Sequence, residues 1–356
     1  MMKTIPDKAP APRRRAPALR ALALPLLATA VAVLLVAAVA LGPVRVPAGD
    51  VVRVIGTLVS GGDPASIPDG AVVTHIRLPR AIVAALVGAA LAVSGAVMQA
   101  VFRNPLADPG IIGVSSGAAT AAVLAIVTGA TAAGAWVLPA TAFVGAVLTV
   151  ALVQAVAAIR GGGPAMLVLV GVAVSAFLGA VTSAAIANAP DDEDIRGAAF
   201  WLNGDLVART WAHAAVAVGP ILVGLAVLVL LARDLDVMMM GDATARSAGV
   251  DVRRARAAAL GVTALLTATA VSVSGVIGFV GLVVPHLMRI TLGPGHRLLL
   301  PAAALAGSAF LLAADTVARM LFEPVVLQTG SVVAFLGSPV FLWLLVRTRH
   351  SRRFAP

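Results

Sequence analysis

Ala81-Ile-Val-Ala-Ala-Leu-Val-Gly-Ala-Ala-Leu-Ala-Val-Ser-Gly-Ala-Val-Met-Gln-Ala-Val-Phe102 contains no Asp, Glu, Lys or Arg. A helix needs about 20 apolar residues to cross the hydrocarbon core of a bilayer. One of those four residues at mid-span costs about 2.5–3.5 kcal/mol. The stretch therefore reads as a transmembrane helix. The same criterion, carried outward, marks windows 21–44, 111–159, 161–190, 210–232, 257–288, 298–314 and 324–346. Two of these are too long for one span. Gly129-Ala-Thr-Ala-Ala-Gly134 breaks 111–159 into two helices. Gly275, Gly278, Gly281 and Pro285 divide 257–288 into a full helix and a short, irregular one that continues to about Leu292. The sum is ten spans in an all-α integral membrane bundle.

Composition supports this class. Only 12% of the 356 residues are charged and 60% are hydrophobic, against about 25% charged in a soluble domain. Lipid must be the main solvent. The chain has no cysteine, which excludes disulfides, thiolate metal sites and cysteine catalysis. Its 34 glycines, among abundant Ala and Val, favour close helix contacts in a crowded bundle.

The net charge of +10 reads as the positive-inside bias, not as nucleic-acid binding. Lys3, Lys8, Arg13, Arg14, Arg15 and Arg20 lie at one end, and Arg347, Arg349, Arg352 and Arg353 at the other. Both termini are expected in the cytoplasm, which demands an even number of crossings. Ten spans then place the acidic stretch 188–209, with Asp191, Asp192, Glu193, Asp194 and Asp205, outside. Residues 233–256, with Arg233, Arg246, Arg253, Arg254 and Arg256, fall inside. Residues 1–20 form a basic Pro/Ala-rich arm with the composition of a disordered segment. Residues 21–347 form the membrane domain, and 348–356 a cytoplasmic tail. The run Ala21 to Val44 exceeds the 7–15 residues of a signal-peptide core, so an uncleaved first span is expected. Val93-Ser94-Gly95 and Val273-Ser274-Gly275 recur on spans of opposite direction. This hints at the inverted repeats common in transporters.

Missing chemistry narrows the function. The only lysines are Lys3 and Lys8, and neither stands in a phosphate-cradling G-x-x-x-x-G-K-[ST] loop. His75, His213, His286, His296 and His350 lack metal-ligand spacing and read as interfacial or capping residues. No serine sits in G-x-S-x-G. No catalytic, cofactor or metal site is expected. Ion-coupled transporters place ionisable groups inside their spans. Here the span interiors lack acids, and Asp315 stands near the end of its window. A transporter without its own energy source needs a partner. An ion-coupled secondary transporter is the alternative reading.

Three segments carry more than composition. Arg77-Leu78-Pro79-Arg80 opens the second span on the outer side. Its arginines read either as snorkelling interfacial residues or as partners for carboxylates. Phe102-Arg103-Asn104-Pro105-Leu106-Ala107-Asp108-Pro109-Gly110 makes a proline-set turn on the inner side. Gly241-Asp242-Ala243-Thr244-Ala245-Arg246-Ser247-Ala248-Gly249-Val250 lies in the largest inner loop. Asp242 can cap a short helix that Gly249 ends. Val237 and Met238, Met239 and Met240 precede it as an adaptable surface. It is either a docking helix or a plain surface helix.

These residues carry a resemblance. The run from Arg77 to Arg80, Gly88 through Gln99, Asn104-Pro-Leu-Ala-Asp-Pro-Gly110 and Gly113-Val-Ser-Ser-Gly117 resembles the iron-siderophore, haem and cobalamin permease family of ABC importers. So do Gly278 to His286 with Arg289, Ala314-Asp315-Thr-Val-Ala-Arg319, and Gly337-Ser-Pro-Val-Phe341. The resemblance implies a vitamin-B12-permease-like subunit of ten helices in a bacterial cytoplasmic membrane. It implies dimerisation with a second, identical or different, permease around a central path. It also implies two ATPase subunits at the inner face and an extracytoplasmic binding protein that delivers a ferric-siderophore, haem or cobalamin-type complex. Carried over by motif, Arg77, Arg80 and Arg319 would meet glutamates of the binding protein. Gly241, Asp242, Ala243, Ala245, Arg246, Gly249 and Val250 would form the helix that seats in the ATPase. Asn104, Pro105, Leu106, Pro109 and Gly110 would form the inner turn. The family often shows Glu-Leu-Pro before its last span, where this chain has Glu323-Pro324.

Overall fold

The computed structural model describes residues 17–42, 45–159, 163–322 and 325–352. They form α1 (Pro17–Ala40), α2 (Ala48–Val59), α3 (Gly70–Val72), α4 (Leu78–Val101), α5 (Val114–Val127), α6 (Val137–Ile159), α7 (Pro164–Ala187) and α8 (Asp192–Leu202). There follow α9 (Trp211–Leu230), α10 (Ala232–Met239), α11 (Asp242–Ser247), α12 (Val252–Ser274), α13 (Val280–Leu292), α14 (His296–Met320) and α15 (Thr329–Arg352). No named strand occurs among the described residues. The basic residues within 1–16, Glu323-Pro324 and Arg353 lie outside the described residues, as do the side chains of Arg347, Arg349 and Arg352.

Seven helices are long and apolar enough to cross a membrane: α1, the continuous unit Gly70–Val101, α6, α7, α9, α12 and α14. Val114–Val127, Val280–Leu292 and Thr329–Leu344 are shorter apolar helices. Both expected breaks occur. Gly129, at φ 69°, leads a 3-10 turn at Ala130–Ala133 between α5 and α6. The second half of window 257–288 is the separate helix α13, which does end at Leu292.

Charge counting misplaces other ends. The first turn before α4 begins at Gly70, upstream of Arg77 and Arg80, and α14 continues past Asp315 and Arg319 to Met320. These charges meet one another inside the bundle, so they do not end a helix. The acidic stretch 188–209, expected as an outer loop, contains a helix. Asp192, Glu193 and Asp194 occupy the first turn of α8, where the helix dipole favours them. Ala198 and Trp201 bury its other end. Helix α2 escapes the charge criterion altogether. Val51 and Val54, spaced i,i+3, are buried, while Arg53 pairs with Asp50.

Helix α4 is the axle of the fold. It packs on α14, α12, α13 and α9, and 83% of its apolar stretch is buried. Two glycine contacts set its neighbours. A Cβ on Gly88 would come within 2.3 Å of the Gly307 carbonyl oxygen on α14, and one on Gly95 within 1.8 Å of that of Gly281 on α13. Backbones can meet so closely only without side chains. The other extreme is α7, with 11% of its apolar stretch buried and Leu169, Val172 and Phe177 pointing away from the chain.

Helix α12 runs antiparallel to α4, since its first turn meets the end of α4 through the contacts described below. Val93-Ser94-Gly95 and Val273-Ser274-Gly275 nevertheless have different roles. Gly95 is a packing contact, whereas Gly275, at φ 69°, ends α12.

Candidate functional site

At the end of the bundle where α4 begins, three arginines converge on the ends of α1 and α14. Arg77 Nη1 donates to the carbonyls of Val39 (2.8 Å) and Ala40 (3.1 Å). Arg319 donates to those of Ala38 (2.8 Å) and Leu41 (3.2 Å). These carbonyls belong to the last turn of α1 and the residue after it, which have no helical partners for them, and cations are favoured there. Arg80 grips Asp315 as a fork, Nη2 to Oδ1 at 2.8 Å and Nε to Oδ2 at 3.0 Å. Thr329 Oγ1, at the start of α15, donates to the same carboxylate at 2.8 Å. Arg319 Nε stands 3.3 Å from Asp315 Oδ2, an ion pair by distance without hydrogen-bond alignment.

This differs from an exposed docking set. Arg77, Arg80 and Arg319 are 7%, 9% and 8% exposed, and Asp315 is 1% exposed. The side chains expected to face a partner are turned inward, where they join α1, α4, α14 and α15. A buried charge must be paired; Asp315 pairs with Arg80 and Arg319, while Arg77 is held by carbonyls of α1. Asp315 was legible in sequence only as an acid near a helix end.

At the opposite end of α4 stands α11. Gly241, at φ 115°, precedes it, and Asp242 makes no cap with its side chain. The expected capping role is therefore corrected: the carboxylate is drawn to arginines instead. Arg256 Nη2, from the first turn of α12, donates to Asp242 Oδ1 (2.9 Å) and Oδ2 (2.8 Å). Arg103, just past α4, donates to Oδ1. The hydrogen bond from Arg256, with the charges of Arg256, Arg103 and Arg246, holds the Asp242 carboxyl below its ordinary range against the opposite pull of burial. Gly249 ends the helix as expected, at φ 84°. Its N–H donates to the Arg246 carbonyl and that of Val250 to the Ala245 carbonyl, each at 3.0 Å, which is a Schellman closure.

Ala245 is fully buried against Met238, Val252 and Ala255. Ala243 and Arg246 face outward. The methionine run is not a continuous exposed surface. Met240 is exposed, but Met238 is buried, and Met239 Sδ accepts from Arg289 at 3.3 Å. Helix α10 is tied to α14 as well, since Asp236 Oδ1 accepts from His296 N (2.9 Å) and lies 2.6 Å from His296 Nδ1. A cleft of about 530 Å³ beside α11 is lined by Arg246, Asp251, Arg253, Arg256, Gln154 and Leu167, among others.

The proline turn is half outside and half inside. Asn104, Pro105 and Leu106 are exposed, and Asn104 Oδ1 accepts from Leu106 N at 3.0 Å. Asp108 Oδ1 accepts from Gly110 N at 2.8 Å and starts a 3-10 turn, Pro109–Ile112. Pro109 and Ile112 are buried. The Ile111 carbonyl would lie 2.2 Å from a Cβ at Gly171 on α7. The turn is thus a wedge between α4 and α7. Burial raises the pKa of Asp108.

Arg103 and Arg256 do not stand out in the sequence as partners of Asp242. The one available signal was Arg103 itself, the single basic side chain of the turn 102–110. Among the described residues, no cluster of His, Cys, Asp and Glu could hold a metal. His213 partners Thr210 at the start of α9, in the capping manner expected, whereas His296 is buried and paired with Asp236, whose carboxylate takes the first N–H of α14.

The chain matches the FecCD transport family over residues 30–347. It is 49% identical over 283 residues to the cobalamin import system permease protein BtuC of Halobacterium salinarum, covering 79% of this chain and 74% of that one. It is 43% identical over 281 residues to the hemin transport system permease protein HmuU of Yersinia pestis, covering 78% and 84%. It is 40% identical over 278 residues to the Fe(3+) dicitrate transport system permease protein FecD of Escherichia coli, covering 78% and 86%. A solved structure described as an inward-facing metal-chelate type ABC transporter superposes with a TM-score of 0.81 at 30% identity, covering 91% of this chain and 98% of that one.

Proposed function

The chain belongs to the FecCD transport family, and from that premise we propose that it is the gate of a binding-protein-dependent ABC importer for ferric-siderophore complexes. Haem and cobalamin-type complexes are the neighbouring choices, since relatives of each kind are similar to it. The observation that carries the reading is α11, a short helix outside the main bundle, closed at both ends by glycine and bound to α12 and the end of α4. A lever of this kind transmits force from a separate motor.

Ten crossings put both termini and α11 in the cytoplasm and α8 outside. Ala243, Arg246 and Gly249 lie on the surface offered to an ATPase. Two ATPase chains act on two permeases, identical or not, paired along exposed faces such as that of α7. ATP-driven closure of the ATPase pair shifts the spans between outward-open and inward-open states, a change of populations. No bond is made or broken in this chain. The role of Arg77, Arg80 and Arg319 toward a binding protein is electrostatic. Arginines gathered at one end of the bundle suit acidic side chains on a delivery protein. The family match does not favour an ion-coupled secondary transporter.

The test is reconstitution of the chain with its ATPase and binding protein in liposomes. Ferric-siderophore accumulates inside only when ATP is supplied, and more readily than haemin or cobalamin. Accumulation driven by a proton gradient without ATP overturns the importer reading. Preference for haemin or cobalamin overturns the substrate alone.

A further inference from the structure

Helix α4 ends in a Schellman closure, with Asn104 N donating to the Gln99 carbonyl and Arg103 N to that of Ala100, each at 3.1 Å. The residue at the turning point of this closure adopts the left-handed region, and glycine is its usual occupant. At the end of α11 the same position is indeed glycine, Gly249. At the end of α4 it is Arg103, at φ 47°. A side chain held in an unfavourable backbone conformation directs attention to what that side chain does.

Its guanidinium reaches Asp242, the first residue of α11. The same carboxylate takes two hydrogen bonds from Arg256 on α12. One aspartate on the lever is therefore gripped from two sides, by the end of the most buried helix and by the start of its antiparallel neighbour. The contact between Arg103 and Asp242 spans 139 residues of sequence, so it is no local by-product of a turn. Nor is it a buried structural pair, since the Arg103 side chain is 39% exposed.

We propose that Arg103 is a positioning residue for force transmission: with Arg256 it clamps Asp242 so that a displacement of α11 moves α4 and α12 together. Arg103 touches no substrate. It acts through α11, and the inference rests on the importer reading above.

Arg103→Gly tests it, because glycine suits the φ of this position and removes only the clamp. An arginine with no part in transmission predicts unchanged or raised thermal stability and unchanged transport. A transmitting arginine predicts the same stability result, retained co-purification of the ATPase, and a fall of at least about five-fold in substrate moved per ATP hydrolysed, the low end of coupling between distant sites. Arg103→Gln, which keeps the backbone strained and removes the charge, shows the same loss. Wild-type coupling in either variant overturns the proposal. If the unaltered chain itself fails to couple ATP to uptake, the importer reading fails instead, and the two failures are distinguished.

Discussion

Asp315 and Asp242 are each held by arginines from distant parts of the chain, at opposite ends of α4. Asp315 is 1% exposed, with Arg80, Arg319 and Thr329 around it. The Asp242 side chain is 27% exposed, against 39% for Arg103 and 12% for Arg256. The chemistry is the same, but the solvent is not. Water screens the second cluster and leaves the first unscreened. The first is thus a fixed knot, and the second a water-screened joint.

The largest expected effect is at the knot. Asp315→Ala leaves Arg80 buried without its carboxylate and costs about 3–5 kcal/mol, read as a loss of detergent-solubilised thermal stability. A loss below about 1 kcal/mol, the median for surface pairs, would erase the contrast between the two ends. Replacing Arg80 with Met and Asp315 with Leu together restores only part of that loss: an apolar pair can stand in for a buried ion pair, but Arg319 and Thr329 still lose Asp315.

Asp242→Asn gives the smaller effect, about 0–1 kcal/mol, and about 1 M salt shrinks it further, since the Debye length there is about 3 Å. A salt-independent effect would put the joint in the same class as the knot. Its pH dependence has a definite sign. The folded pKa of Asp242 lies below its unfolded value of about 3.9, so its stabilisation is complete above that pH. It disappears as pH falls through the folded pKa. Thermal midpoints of wild type and Asp242→Asn therefore converge only in that acid range, and convergence near neutrality would contradict the assigned pairing. The smallest change is at the wedge. Asp108→Asn keeps the Oδ1 acceptor for Gly110 N and removes a charge that burial disfavours. Its thermal midpoint stays level or rises slightly, and a clear fall would mean that the carboxylate has a cationic partner.

Much of the fold was legible because it follows from lengths and solvents. Gly129 and Gly275 marked the breaks between α5 and α6 and after α12, since left-handed backbone suits glycine. Gly249 marked the end of α11 for the same reason. The ends at Arg77 and Asp315 were not legible. A charge in a single sequence does not disclose that its counter-ion lies 235 residues away, as Arg80 and Asp315 do. Helix α2 hid because its one ion pair, Asp50 with Arg53, broke the apolar window. At the candidate site, the α11 sequence itself revealed a helix and its stop. What holds that helix did not appear, because Arg103 and Arg256 lie in separate segments and meet only when α4 and α12 run side by side.

That this chain lives in lipid, where its helices must turn and which family it resembles can all be read along the chain. Apolar length, glycine and charge act locally, and each can be read one residue at a time. That Arg77, Arg80 and Arg319 turn inward and that Asp242 is held by arginines from two separate segments emerges from packing alone. Those outcomes depend on which distant charge is nearest in space, and Coulomb attraction is governed by that distance and by the water left between the charges.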